Sequence, residues 1–316
     1  MAEPYDSFLK FPVASGFPDY SGIAIPQLWS KQVAAKFYPL SILSSISTGR
    51  YEGELKRMGD NLVIETRAAV PVDDYVAGQG LPDRYIVPGT VVLPINRGKV
   101  WQILKEDVTS SQMLLDWAPI WQDDAAEAVR VAIDTEVLGW LPGHLNELCS
   151  GIAAGPDSDI NMGSQDAPVA ITKTTSVDVV EECATLLDEM NCPDEGRFMY
   201  IPPKFKARLL TSELKEASLT GDAKSVLRNG IIGEIDRFTM LRSNLIPRAL
   251  VDGKIVYSLC FGWNESLAFA HGIQLVESLR SEHYIGTKIR GLSVFGYQVI
   301  NDDLIGCLQC YMTADA

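Results

Sequence analysis

The chain has 316 residues, 47% of them hydrophobic, and its 27 Lys and Arg against 41 Asp and Glu give a net charge of −14. This length exceeds the usual size of a domain with a single hydrophobic core, so we expect two domains or one domain with large extensions. The acidic balance argues against a dedicated nucleic-acid-binding module, which needs a basic face, although a local basic patch stays open. No signal-peptide pattern or run of 18 apolar residues occurs, so we expect neither secretion nor a membrane span.

The first 49 residues predict an irregular segment, because four prolines and intervening glycines interrupt any long element. One amphipathic helical fragment is predicted at 28–38. An apolar, proline-rich segment without a core of its own lies on a surface or on a neighbouring chain. We interpret residues 1–49 as a docking arm.

Residues 50–108 change to a strand pattern, with two runs of β-branched residues on either side of a polar, glycine-rich tip at 72–85. This pattern predicts a long β-hairpin with little second layer of its own. An isolated two-stranded ribbon is marginal in water, so the hairpin should lie on something, such as another subunit. Its charged residues are the candidate intersubunit contacts: Asp73, Asp74, Arg84 and Lys99.

Residues 109–142 are predicted to form a long helix, around which the rest of the chain is organised. Pro119 should bend it or begin a second segment, and Gly139 with the Leu-Pro-Gly at 141–143 should end it. Apolar residues recur every three or four positions, which is typical of one buried face. These are Trp121, Ala125, Val129, Ala132, Ile133, Val137 and Trp140. The charged residues mostly fall off that face: Asp123, Asp124, Glu127, Arg130, Asp134 and Glu136.

The second half of the chain alternates short strands and helices. A buried strand is predicted at 197–203, a short helix at 204–213 and a strand or hairpin at 233–247. A helix is also predicted at 177–190, and its apolar face consists of Val179, Val180, Cys183, Leu186, Leu187 and Met190. Residues 261–308 contain three strand-like runs. Gly291 and Gly296 within them predict close strand approach or bulges.

No catalytic motif is found, and we predict neither an enzyme nor a cofactor. The three histidines, His144, His271 and His283, do not sit in H-E-x-x-H or at ligand spacing. The glycines at 78 and 80 belong to an incomplete nucleotide fingerprint in a hairpin tip. A scattered Ser/His/Asp site stays open, since triads are recognised by geometry.

Metal binding is not predicted either. Residues 157–161 resemble the opening of a calcium loop, but Met162 replaces the required glycine and Pro168 the closing glutamate. Cys307 and Cys310 form a lone C-x-x-C in an apolar run, which favours small buried side chains over zinc or redox use. All six cysteines are expected to be free thiols.

Several stretches, in this order, resemble the major capsid protein of tailed bacteriophages, which has the Hong Kong-97-type fold. The stretches are LWSKQVAAKFY, YEGELKRMGDNLVI, DDAAEAVRVAIDTEVLG, VLRNGIIGEIDRFTMLRSNLIP and LAFAHGIQLVESLRSEHYIGTKIRGLSVFGYQVI. Together they span most of the chain. The weight of the resemblance lies in their number and order.

The resemblance implies an α+β capsid fold with five parts. These are an N-terminal arm at 1–49, an extended β-hairpin loop at 50–108, a peripheral domain at 109–198 with its spine helix at 109–142, an axial domain at 199–271 and returning peripheral strands at 272–316. No fused scaffold segment is recognised ahead of the arm. The family's lysine-to-asparagine crosslink has no partners that the sequence identifies.

The implied function is a structural shell protein of a virion, assembled in the host cytoplasm into hexamers and pentamers of an icosahedral head. The implied partners are further copies of the chain, a separate scaffolding protein, a portal and cement proteins, with only weak, non-specific contact to packaged double-stranded DNA. An encapsulin-like compartment is the alternative within the same fold. A soluble acidic hydrolase using the three histidines is the alternative of another class.

Overall fold

The computed structural model describes residues 39, 41–51, 61–68, 70–75, 80, 83–112, 117–212 and 233–313. Across these ranges the chain is a mixture of α-helices and β-strands, which confirms the predicted α+β class. The helices are α1 (Leu43–Ile46), α2 (Asp107–Gln112), α3 (Trp117–Trp140), α4 (Thr175–Glu189) and α5 (Pro203–Thr211). The strands are β1 (Asn61–Thr66), β2 (Gly89–Pro94), β3 (Arg97–Glu106), β4 (Val169–Ile171), β5 (Arg197–Ile201), β6 (Glu234–Ile235), β7 (Phe238–Arg242), β8 (Arg248–Val251), β9 (Lys254–Trp263), β10 (Leu267–Arg280), β11 (Gly286–Val299) and β12 (Ile305–Met312). The helix predicted at 28–38 lies outside the described residues.

The main core is built on a seven-stranded mixed sheet. Its strands follow the order β4-β12-β9-β5-β7-β6, and β8 also pairs with β9. Strand β5 lies inside the sheet, antiparallel to β9 and parallel to β7, and all five of its residues are buried. Such a strand needs apolar residues on both faces, as Arg197–Ile201 largely supplies. Helix α4 buries its predicted apolar face in the same core.

A second, three-stranded antiparallel sheet has the order β10-β11-β3. The predicted close approach of its glycines is confirmed. A Cβ atom on Gly291 would lie 2.2 Å from the indole nitrogen of Trp101, and one on Gly296 would lie 2.3 Å from the Pro94 carbonyl oxygen. The register of β10 shifts between His271 and Gln274, so the irregularity lies on the strand opposite the glycines.

Helix α3 is the long helix predicted from the sequence. It begins at Trp117, so Pro119 lies in its first turn, where a missing N–H breaks no intrahelical hydrogen bond. It ends at Trp140 as predicted, and Leu141–Gly143 continue as a short 3₁₀ turn. The preceding residues Asp107–Gln112 form the separate helix α2, and residues 113–116 between the two lie outside the described part.

Asp134 is an exception to the prediction that the charged residues of this helix mostly lie off its buried face. Its side chain is buried, and its carboxylate accepts a hydrogen bond of 3.0 Å from the backbone N–H of Ile42. Ile42 is the residue that immediately precedes helix α1. The first N–H groups of a helix have no acceptor within the helix. The Asp134 carboxylate supplies an acceptor at a buried position where water cannot.

The predicted hairpin is present but shorter than expected. Strands β1 and β2 pair antiparallel over six residues each. Strand β2 ends at Pro94, and β3 pairs with β11 instead of continuing the hairpin. This corrects the prediction of two long hairpin strands. The base of the hairpin also has a second layer, because Ile64 and Leu93 form a small core cluster with alanines of β10.

Candidate intersubunit surfaces

The part of the hairpin beyond β1 and β2 exposes large apolar side chains. We call its described residues (67, 68, 70–75, 80 and 83–88) the tip; they have no regular secondary structure. Tyr85 is 96% exposed and Val72 93% exposed. The exposed apolar residues of the tip are Val70, Val72, Tyr75, Tyr85, Ile86 and Val87. A cluster of this kind is typical of a surface that another chain covers.

Two of the predicted contact residues bind each other across the tip. Arg84 donates a hydrogen bond of 2.8 Å to Asp73, and both side chains are close to half exposed. An exposed pair of this kind contributes at most about 1 kcal/mol. Asp74 is exposed and forms no ion pair within the described residues. The pair therefore holds the two arms of the tip together and leaves Asp74 for another partner.

Lys99 lies elsewhere, on β3. It forms an ion pair with Glu136 of α3, and Arg97 donates a 2.8 Å hydrogen bond to the same carboxylate. Burial opposes ionisation of Glu136, but the hydrogen bonds from Lys99 and Arg97 outweigh it and lower its pKa. The structure thus brings Asp73 and Arg84 together and separates Lys99 from them. The intersubunit role of all four residues stays a prediction.

Between α3 and the three-stranded sheet lies a cleft of about 920 Å³. Residues 41–49 close one side of it. Its walls carry both apolar side chains, such as Trp101, Phe269 and Val129, and polar ones, such as Asp123 and Arg130. His271 also lines it, and the buried Nδ1 atom of that ring has no hydrogen-bond partner. Sequence reasoning considered His271 only for catalysis, because the cleft is formed by elements distant along the chain.

Another exposed apolar surface is the face of the three-stranded sheet that is turned away from α3. Val100 and Leu104 of β3 and Leu279 of β10 are exposed there. Sequence reasoning missed it. The available signal was that β3 carries apolar residues at both alternating sets of positions, which a strand with one solvated face does not need.

The three histidines do not form a catalytic arrangement in the described part of the chain. His144 stacks on Trp140 and its Nδ1 lies 3.0 Å from that residue's carbonyl oxygen. His271 packs edge-on against Phe269, and its Nδ1 is unpartnered. His283 is exposed beyond the end of β10. None of them hydrogen-bonds to a serine or an aspartate, so the orienting contacts of a triad are not formed.

The cysteines and the acidic loop offer little for metal chemistry. All six thiols are free and buried, and burial raises the pKa of Cys149 to about 12. In the loop that resembles a calcium site, the side-chain oxygen of Asn161 accepts a hydrogen bond from Gly163 of the same loop. No group of three or more His, Cys, Asp or Glu is placed to hold a metal ion within the described ranges. None of the described helices is long and apolar enough to cross a membrane.

The arrangement of these elements is the Hong Kong-97-type capsid fold, and the fold predicted from the resemblance is confirmed. A structure from Mycobacterium phage Che8 matches with a TM-score of 0.72 and 22% identity, over 90% of this chain and 97% of that one. The capsid structure of the cyanophage P-SCSP1u matches with a TM-score of 0.69 and 15% identity, over 96% and 97%. The capsid of Ralstonia phage GP4 matches with a TM-score of 0.64 and 15% identity, over 96% of this chain and 99% of that one. No protein-family model and no curated protein sequence matches the chain.

Proposed function

We propose that this chain is the major capsid protein of a tailed bacteriophage. It is a structural protein without an enzymatic role, and it assembles into hexamers and pentamers of an icosahedral head that encloses double-stranded DNA. The observation that carries the proposal is the apolar tip, which is exposed on a chain whose fold is shared almost end to end with phage capsid structures.

The energetics of the tip favour assembly over a free monomer. Ordering each residue costs about 1–2 kcal/mol of conformational entropy, and the tip has no core of its own to offset that cost. Burying a Val or Ile side chain fully on a neighbour contributes about 1.5–3 kcal/mol. A contact between the tip and a different surface of the next copy is head-to-tail, and such contacts form rings when the rotation between copies closes.

The partners follow from this role. The main partner is the chain itself, and a separate scaffolding protein, a portal and cement proteins complete the head. The protein resides in the virion after assembly in the host cytoplasm. A net charge of −14 favours weak, non-specific contact with the packaged DNA, since tight binding to phosphates would need a basic surface.

Deleting residues 70–88 tests the proposal. The deletion removes the exposed side chains of the described tip residues and leaves β1, β2 and both core clusters, so the subunit should keep its circular dichroism spectrum and lose assembly. Sedimentation and electron microscopy measure the loss. Leu250→Ser is the matched control, because Leu250 is an exposed apolar residue of β8 and should tolerate the change. Normal shells from the deletion variant would contradict the proposal.

The contents of the shells distinguish a phage head from an encapsulin-like compartment, the two functions proposed for this fold. Nuclease-protected double-stranded DNA in particles assembled with the neighbouring gene products supports a phage head. A co-purifying enzyme in place of DNA would instead support an encapsulin-like compartment.

A further inference from the structure

We propose that one end of the seven-stranded sheet is the surface through which the shell contacts packaged double-stranded DNA, with Lys204, Arg242, Arg248 and Lys254 binding its phosphates. We call these four residues the basic end. This inference rests on the proposed shell function. It adds to that function the place of a contact that the net charge of −14 alone does not locate.

The direction of the strands brings the basic end together. Strands β4, β12, β5 and β7 run one way through the sheet, and β9 runs the opposite way. The carboxyl ends of those four strands therefore lie beside the start of β9. Lys204 follows β5 in the first turn of α5, Arg242 is the last residue of β7, and Lys254 is the first residue of β9.

Arg248 joins them because β8 continues along the same edge of β9 as β5. Strand β5 pairs with residues 261–263 of β9, and β8 pairs with residues 254–257. The two strands meet where the backbone N–H of Ser258 donates a hydrogen bond of 3.1 Å to the Pro247 carbonyl oxygen. With strands about 4.8 Å apart and a rise of about 3.3 Å per residue, the basic end spans about 20 Å.

The two ends of the sheet carry opposite charge. Besides the basic end itself, the described connections at that end hold one further basic residue, Lys173, and one acidic residue, Asp252. The connections at the opposite end hold one basic residue, Arg237. They also hold these acidic residues: Asp194, Glu195, Asp236, Glu265, Asp302 and Asp303. The basic end is therefore a local departure from the acidic balance of the chain.

The charges of the basic end are not compensated by the described part of the chain. All four side chains are exposed, and none of them forms an ion pair with a described residue. Lys254 lies 4.4 Å from the centre of the Tyr311 ring, a contact that leaves its charge in place. Exposed arginines elsewhere do bind carboxylates, as Arg280 binds Asp107. On a chain with an excess of acidic residues, uncompensated cations at one place favour an anion from outside.

Double-stranded DNA fits this surface. It carries one phosphate charge per about 1.7 Å of its axis, so a stretch of about 20 Å presents about twelve phosphates to the four cations. Arginine can bind a phosphate through two parallel hydrogen bonds, and such contacts do not depend on base sequence. A second copy of this chain fits less well, because Asp194 and Glu265 at its opposite end already bind arginines of their own chain.

Binding of a short DNA duplex of mixed sequence to the unassembled subunit tests the inference. The double variant Arg242→Gln/Arg248→Gln removes two cations of the basic end. The matched control is Arg280→Gln/Arg290→Gln, which removes the same charge from exposed arginines that already bind carboxylates. All four side chains are exposed, so both variants should keep the circular dichroism spectrum of the wild type.

Fluorescence anisotropy at several salt concentrations measures the effect. The basic-end variant should bind the duplex at least about tenfold more weakly than the wild type at low salt, and the control should change little. The slope of log K against log salt concentration should become shallower by about 1.8 for the basic-end variant, which is about 0.9 per lost phosphate contact. Equal losses in the two variants would show that binding follows net charge alone and would overturn the inference.

Photocrosslinking in filled heads tests the same contact after assembly. Asn244 is exposed and lies between Arg242 and Arg248 along the chain, so a photoreactive benzoylphenylalanine is placed there. The control position is Asp302, which is exposed at the opposite end of the sheet. Irradiation should join DNA to position 244 and not to position 302. A protein joined to position 244 in place of DNA would assign the basic end to an acidic protein and overturn the inference.

The outcomes separate this inference from the function on which it rests. Filled heads without a DNA adduct at position 244 would overturn the inference and leave the shell function intact. A wild-type chain that forms no shells in any condition would remove the shell function and this inference together.

Discussion

Two five-residue segments of similar composition have opposite environments. Arg197–Ile201, with the sequence RFMYI, forms β5, and every residue in it is buried. Residues 84–88, with the sequence RYIVP, belong to the tip, and every residue in it is exposed. Each begins with an arginine and continues with an aromatic residue. The difference shows that apolar content does not decide burial within a chain. The elements that lie on either side decide it.

The two arginines make the same point through electrostatics. The guanidinium of Arg197 is fully buried and binds Asp188 at 2.7 Å and the Cys192 carbonyl oxygen at 2.7 Å. Arg84 binds Asp73 in water. A buried guanidinium such as that of Arg197 needs its protein partners, whereas water can replace the partner of an exposed one such as that of Arg84. In our account, residues 84–88 acquire a β5-like environment only when a neighbouring copy covers them.

The largest expected effect is on β5. Phe198→Ala should lower the free energy of unfolding of the unassembled subunit by about 3–5 kcal/mol, because it leaves a cavity in a packed sheet. Tyr85→Ala is the matched change in the tip and should alter that free energy by no more than about 0.5 kcal/mol while it reduces assembly. Denaturant titration of both variants measures the contrast. Similar losses of subunit stability would remove the distinction between the two segments.

The next effect concerns the two arginines. Arg197→Met should cost about 3 kcal/mol of unfolding free energy, because the carbonyl oxygens of Cys192 and Pro193 lose their donor, while Asp188 keeps its ion pair with Arg237. Arg84→Met should cost less than about 1 kcal/mol. Burial opposes ionisation of Asp188, but hydrogen bonds from Arg237 and Arg197 lower its pKa. Its stabilising contribution is therefore complete above pH 4 and lost as the pH falls through the lowered value. Thermal melts between pH 3 and 7 should show a smaller acid loss in Arg197→Met than in wild type.

Asp134 should give an intermediate effect. Asp134→Ala removes the acceptor of Ile42 and should cost about 2 kcal/mol, while Asp134→Asn keeps an acceptor oxygen and should cost less. Burial is the main reason that the pKa of Asp134 is raised, although hydrogen bonds from Ser41 and from the backbone oppose it. A raised pKa means that the folded state loses relative stability as the pH rises above about 3.9.

The stability advantage of wild type over Asp134→Asn should therefore narrow as the pH rises from 4 to 7. Denaturant titrations of the two unassembled subunits at each pH would measure it. An advantage that widens over this range would show that the carboxylate is stabilised in its ionised form.

The smallest effect concerns the exposed charges of the tip. Charge reversal at Asp73 and Asp74 should weaken assembly by at most about 1 kcal/mol per contact, and high salt should reduce the difference from wild type. Asp166→Lys, at an exposed position of another loop, is the control. Light scattering at low and high salt measures the effect, and a defect that does not change with salt would assign these residues another role.

Local signals predicted much of this fold. The end of α3, the apolar face of α4, the buried strand β5 and the tight packing at Gly291 follow from spacing and residue type alone. Asp134 could not be placed in this way, because its partner Ile42 is 92 residues away and a helical wheel does not show which element crosses it. The pairing of β3 with β11 and the cleft beside α3 likewise depend on contacts between distant segments. The sequence predicted only that the hairpin has little second layer of its own, and the exposure of the tip was expected as a consequence of that.

Hydrogen–deuterium exchange of residues 70–88 in assembled shells and in free subunits tests the central claim most directly. The account predicts fast exchange of this segment in the free subunit and strong protection in the shell, with β5 protected in both. Equally fast exchange of residues 70–88 in shells would show that no neighbouring copy covers the tip, and would contradict the account.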